Sequence, residues 1–137
     1  MWLALGLALS LLWRRWQPFA LVALADVAAD GLAGLLKAAV GVQRPHEGHD
    51  LLALPHSKSF PSGHTATSFA CATMLAFLVP RAAPAVYLLA AAIAYSRLYV
   101  GVHWPTDVIV GAALGVVTAL LLLAAIRTRS TRGLRRG

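Results

Sequence analysis

Apolar residues run along this chain in long blocks, and the polar positions between them are few and clustered. Residues 1–13 are apolar but too short for a full membrane span, which takes about 20 residues. They predict a short, tilted or interfacial first helix. No basic residue precedes them, so a secretory signal is a poor reading. Arg14 and Arg15, flanked by Trp13 and Trp16, have the composition of a membrane–water boundary. Residues 18–42 are long enough to span, and Pro18 suits a helix start. Residues 43–59 form a polar loop with Pro45 and Pro55. Residues 60–79 make the next span; Pro80, Arg81 and Pro84 turn the chain; residues 82–99 span again. Trp104 and Pro105 open the last helix, whose stretch 108–126 is uncharged. With no heptads, repeats or low-complexity linker, the pattern predicts one domain over residues 1–137. It is an all-α, polytopic transmembrane helical bundle with a basic tail at about 127–137.

Composition sharpens this picture. Hydrophobic residues make up 59% of the 137 and charged ones 12%, and the mean hydropathy is +0.72. A soluble domain this small has too little interior to hide that much apolar surface, so lipid is the natural solvent. The net charge of +7 invites a nucleic-acid reading, but its distribution opposes one. Arg127, Arg129, Arg132, Arg135 and Arg136 all follow the final apolar run, as in a cytoplasmic tail. No nucleic-acid partner is expected. Cys71, the single cysteine, rules out an internal disulfide and reads as packing.

The basic residues also set an orientation. With Arg14 and Arg15 inside, alternation puts the 43–59 loop outside, Arg81 inside, residues 96–107 outside and the tail inside. Lys37, Arg44, Lys58 and Arg97 are then the outer cations, and the other basic residues are cytoplasmic. The expectation is a multi-pass protein of the cell membrane, with its polar clusters on the extracytoplasmic face and its C-terminal tail in the cytoplasm.

Those clusters are KAAVGVQRP (37–45), PSGH (61–64) and SRLYVGVHWPTD (96–107). Lys37 and Arg44, read as two helical turns apart, rise about 10 Å and can share one anion from a helix rim. Arg97 adds a third cation. Guanidinium groups match phosphate oxygens in pairs, and Lys supplies a point charge. Ser62 and Gly63 sit where a helix should begin, and exposed N–H groups there bind anions. Cations without a matching set of carboxylates suggest that the missing negative charge is a ligand. His103 and His64 supply chemistry near neutral pH. Asp107, one turn beyond His103, can fix its tautomer, which marks His103 as the nucleophile and leaves His64 to protonate a leaving group. Phosphoryl transfer asks for little beyond positioning and charge stabilisation, so this inventory needs neither metal nor cofactor. His46, His49 and His56 lack a helical ligand frame and read as a solvated loop. Asp26, Asp30 and Lys37 share one helix face, and the two aspartates read as partners of basic groups that tie helices together.

Singly these signals are weak. Together they match KxxxxxxRP, PSGH and SRxxxxxHxxxD, and the chain resembles the type 2 phosphatidic acid phosphatase (PAP2) family, related to vanadium haloperoxidases. The resemblance implies an all-helical core and metal-independent hydrolysis through a phosphohistidine. His103 would be the nucleophile, Asp107 its partner and His64 the acid. Lys37, Arg44, Ser62, Gly63 and Arg97 would bind phosphate. Membrane members usually have six spanning helices. Four spans and the short 1–13 segment therefore predict a reduced N-terminal part, and a second copy of the chain is a candidate cover for the exposed flank. The expected function is hydrolysis of a lipid-linked phosphate, with polyprenyl phosphate or diphosphate favoured and phosphatidic acid or phosphatidylglycerol phosphate as alternatives. High hydropathy argues against the large, soluble haloperoxidases. The intact His64, His103 and Asp107 argue against a catalytically silent membrane binding protein.

Overall fold

The computed structural model describes residues 1–44 and 58–134, with side chains to residue 128. Five α-helices follow in order: α1 (Trp2–Trp13), α2 (Gln17–Val40), α3 (Gly63–Leu78), α4 (Ala83–Tyr99) and α5 (Pro105–Leu134). A 3-10 turn, Pro80–Ala82, joins α3 to α4. No strand occurs among the described residues. Three stretches, Gln17–Val40, Pro80–Tyr99 and Pro105–Thr128, are long and apolar enough to cross a membrane.

The helix in the middle departs from the sequence reading. α3 begins at Gly63 rather than at residue 60 and has 16 residues, a rise of about 24 Å, which falls short of membrane length. It compensates by being the most enclosed element. Ala66, Ala70, Cys71, Ala72 and Met74 have no exposed surface, and α2, α4 and α5 surround it. The outer helices keep Leu24, Val27, Leu35, Leu88, Ile109 and Leu121 exposed, as suits surfaces facing lipid. The tail is also revised. α5 continues past residue 126 to Leu134 without a break, so the basic tail starts as helix.

Small residues decide how closely α3 and α5 approach. A Cβ on Gly111 would stand 2.7 Å from the Ser62 carbonyl oxygen, and one on Gly115 would overlap the Ala66 carbonyl oxygen. Both obstacles are backbone, which cannot rotate aside. Helices in an apolar solvent associate through such close backbone contact, since burial of side chains brings little gain there.

α1 turns back at Arg14, which takes a left-handed conformation with φ 54°. Ser10 Oγ accepts a hydrogen bond from the Phe19 N–H at 2.8 Å, fixing the corner. Trp2 Nε1–H donates to Ser68 Oγ at 3.1 Å, so α1 meets α3 about a third of the way along it. At the end of the bundle holding this corner, Arg127 lies 5.2 Å over the Phe77 ring. The opposite end gathers the C-terminal ends of α2 and α4 and the N-terminal ends of α3 and α5, joined by Ser62 N–H···O=C Asp107 at 3.0 Å and Arg44···Val102 at 2.7 Å.

The glycine contact gives a stability test. Gly115→Ala should destabilise the detergent-solubilised protein by about 1–3 kcal/mol through overpacking. Gly34→Ala, with nothing within 4 Å of its added Cβ, should be neutral or stabilise by up to about 1 kcal/mol. Thermal unfolding of the two variants side by side checks the ranking.

Candidate active site

Each motif reaches the same end of the bundle by its own route. α2 stops at Val40 because Gly41 adopts φ 70°, a left-handed cap that glycine takes without penalty. The chain then leaves the helix, so Arg44 does not sit two helical turns above Lys37 as the spacing alone implied. Arg44 crosses instead to the segment before α5 and donates from a guanidinium nitrogen to the Val102 carbonyl at 2.7 Å. The segment is pinned from two further sides. Ser59 N–H donates to the Val42 carbonyl at 2.8 Å, and Ser59 Oγ–H lies 3.0 Å from the Gln43 carbonyl. Trp104 Nε1–H donates to that same Gln43 carbonyl at 3.2 Å. Residues 45–57, which include His46, His49 and His56, lie outside the described residues.

Ser62 occupies the N-cap position of α3 in an extended conformation. Its N–H is taken by the Asp107 carbonyl, and its hydroxyl oxygen accepts from Thr65 Oγ1 at 3.0 Å. That leaves the Ser62 hydroxyl proton free to donate. Gly63 and His64 form the first turn, whose N–H groups have no partner within the helix. Ser62 is buried, Gly63 partly so and His64 exposed.

His103 and Asp107 form the one ion pair within 4.0 Å among the described residues. His103 Nδ1 is 3.3 Å from Asp107 Oδ2, and that oxygen also accepts the Trp104 N–H at 2.9 Å. Both residues are buried, His103 at 6% exposure and Asp107 at 0%. Because a carboxylate only accepts, Nδ1 carries the proton and Nε2 holds the lone pair. Asp107 Oδ1 is buried with no hydrogen-bond partner among the described residues, and the positive charge of Arg44 faces Asp107. Burial holds the His103 imidazole below its ordinary pKa; Arg44 and Lys37 push the same way, and Asp107 opposes them.

The cations are shared. Lys37 and Arg44 act on both histidines, and Arg97 acts on His64. Arg97 Nε–H rests on Ser96 Oγ at 3.2 Å. All eight residues singled out by the sequence therefore converge at one end of the bundle. The reading of Asp26 and Asp30 as salt-bridge partners fails. Asp26 Oδ1 accepts from the Cys71 thiol at 3.7 Å, and no basic group lies within ion-pair distance of either aspartate among the described residues. Both line an open cavity of about 410 Å³ with Gly63, His64 and Thr67. Sequence reasoning also missed Gly111 and Gly115, although a G-x-x-x-G spacing in an apolar helix is a recognised sign of close helix contact. It missed Trp104 and Ser59 too, whose partners are backbone carbonyls and leave no trace in sequence.

Residues 4–131 match the PAP2 superfamily. Over 98 residues, 66% of this chain, it is 41% identical to the lipid A 1-phosphatase of Rhizobium johnstonii, and the match spans 40% of that relative's length. It is 33% identical over 126 residues to the decaprenylphosphoryl-5-phosphoribose phosphatase of Mycobacterium tuberculosis, covering 88% of this chain and 69% of that one. The fold superposes on the crystal structure of Aquifex aeolicus LpxE with a TM-score of 0.75 and 33% identity, over 90% of this chain and 81% of that chain. It superposes on a transmembrane PAP2-type phosphatidylglycerolphosphate phosphatase from Bacillus subtilis with a TM-score of 0.70 and 27% identity, over 93% and 67%. With three membrane-length apolar helices and a transmembrane phosphatase among its structural neighbours, this multi-pass membrane protein belongs to the PAP2 superfamily.

Proposed function

We propose that the protein is a membrane phosphatase that hydrolyses a lipid-linked phosphate through a phosphohistidine on His103. The observation that carries this reading is the buried His103–Asp107 pair, which leaves Nε2 with the lone pair of a ring on which Arg44 and Lys37 act. In the first step Nε2 attacks phosphorus, and the bond to the leaving oxygen breaks. The electron pair goes to that oxygen, which takes a proton from His64. Positive charge on His103 is met by Asp107. In the second step His64 removes a proton from water, and the water oxygen attacks phosphorus. The P–N bond breaks with its electron pair returning to His103, and inorganic phosphate leaves. Lys37, Arg44 and Arg97 supply charge on the phosphoryl oxygens, and the Ser62 hydroxyl and the first N–H groups of α3 supply hydrogen bonds. This donor set neutralises the phosphate without a metal ion.

The substrate we favour is a phosphate or diphosphate on a polyprenyl carrier. In support, the relative matched over 88% of this chain is named for a decaprenyl-linked phosphate, and an undecaprenyl-diphosphatase of Sulfolobus acidocaldarius is 42% identical over 62 residues. Lipid A 1-phosphate, phosphatidic acid and phosphatidylglycerol phosphate carry the same reacting group on other anchors. We place the site on the extracytoplasmic face, because Arg14, Arg15, Arg81 and the basic end of α5 then lie inside.

Phosphate release from a panel of these lipids by purified protein in detergent tests the reading. Release should persist in EDTA. His103→Ala should lose activity by at least about 10³-fold and His64→Ala by roughly 10²- to 10⁴-fold, with both variants folded. Release by folded His103→Ala at the wild-type rate would remove the nucleophile. The pH dependence follows from burial of His103. Its nucleophilic form is neutral, so lowering its pKa keeps the enzyme active as pH falls past about 6.5. Histidine NMR of the free protein should place the His103 titration below that value, and Asp107→Asn should lower it further by removing the group that opposes the shift.

A further inference from the structure

Each of the two site histidines must hold a different charge state, and the structure gives the required partner openly to only one of them. His103 has Asp107. His64, the proton donor in the reading above, must enter the first step protonated. Its surroundings oppose that. It lies in the first turn of α3, where the positive end of the helix dipole disfavours a cation. Lys37 from α2, Arg44 beyond the end of α2 and Arg97 from α4 all bear on it. From the α5 side, Asp107 is engaged with His103 and the Trp104 N–H. Two carboxylates, Asp26 and Asp30, lie on the face of α2 turned toward α3, and one of them acts on His64.

That carboxylate is Asp30. Its Oδ1 lies 3.6 Å from where a Cβ on Gly63 would stand, one residue before His64. Asp30 and His64 line the same 410 Å³ cavity, which has room for several water molecules. Asp30 is exposed and has no basic partner within ion-pair distance among the described residues, and its charge also acts on Lys37, two turns further along α2. Thr67 Oγ1–H, on the cavity wall, donates to the His64 carbonyl at 3.3 Å, steadying the turn that carries the imidazole. The negative charge of Asp30 acts on His64 against the three cations.

We infer that Asp30 is a positioning residue for His64, orienting its imidazole from the cavity side and balancing its positive charge. The site then holds one bonded histidine–carboxylate pair, His103–Asp107 for the nucleophile, and a second carboxylate, Asp30, facing the acid His64 across the cavity they share. Asp26, deeper in the cavity and bonded to the Cys71 thiol, is not part of that arrangement.

This inference rests on the assignment of His64 as the acid, and two readouts separate the claims. The first is independent of activity: histidine NMR titration of His64, assigned with His64→Gln, in wild type, Asp30→Asn, Asp30→Ser and Asp26→Asn. The neutral variants at position 30 should lower the His64 midpoint by about one pH unit, and Asp26→Asn should leave it within a few tenths. The second is kinetic, using the fastest lipid phosphate of the panel above and p-nitrophenyl phosphate. Asp30→Asn should move the alkaline limb of kcat down by a similar amount and slow the lipid phosphate about tenfold at pH 8, with KM changed less than twofold. It should barely slow p-nitrophenyl phosphate, whose leaving group needs no proton. Asp30→Glu should restore most of the loss. An unmoved His64 midpoint, equal slowing of both substrates, or loss of fold in both neutral variants would overturn the inference. If His64→Gln leaves turnover of the lipid phosphate intact, the acid assignment fails, while the titration still decides whether Asp30 and His64 are paired.

Discussion

The hydrogen bond from the Ser62 N–H to the Asp107 carbonyl ties the start of α3 to the start of α5, and the site depends on it. Two chain segments more than forty residues apart are held with their polar termini side by side. This is possible only because Gly111 and Gly115 let the backbones meet without side chains between them. Everything chemical follows from that closeness. In the proposed mechanism the imidazole of His103 and the first turn of α3 address one phosphate, and Arg44 crosses to Val102 and still faces Asp107. A bundle in lipid has no hydrophobic drive to squeeze water from between its helices. Fit between backbones must take its place, and the active site inherits its rigidity from that fit.

Rigidity matters because phosphoryl transfer draws most of its acceleration from charges already in position. Here four of the groups at the site have a second contact that limits their motion. Arg44 rests on a carbonyl, Arg97 on Ser96, Ser62 on Thr65 and His103 on Asp107. Such contacts use up part of each group's hydrogen-bonding capacity. Ser62 still keeps its hydroxyl proton to donate onward.

The motif residues were legible in sequence because their chemistry is rare in an apolar chain. Histidine, arginine and aspartate are costly in a membrane, so their presence at helix ends already signals use. The all-helical fold was legible from block length, and the turn at residues 80–84 from its prolines. What was hidden depends on tertiary partners. A left-handed Gly41 moved Arg44 off the helix. α3, read as a span, is a shorter inner helix whose length is set by its neighbours. Asp26 and Asp30 looked like members of salt bridges because that is the commonest use of charge in an apolar helix; only the packing of α2 on α3 shows a thiol beside Asp26 and puts Asp30 on a cavity that His64 also lines. The close contact of Gly111 and Gly115 needed the register of two helices, which no single helix encodes.

The clamp at Ser59 has a consequence of a different kind. Its N–H and hydroxyl grip the Val42 and Gln43 carbonyls, so the chain re-enters the bundle at nearly the point where it left. Closing a longer or shorter excursion between two such fixed points costs little, since loop entropy grows only with the logarithm of length. The corner that carries Arg44 is therefore placed by its own bonds to Ser59, Trp104 and Val102, and not by the length of chain that joins its two ends.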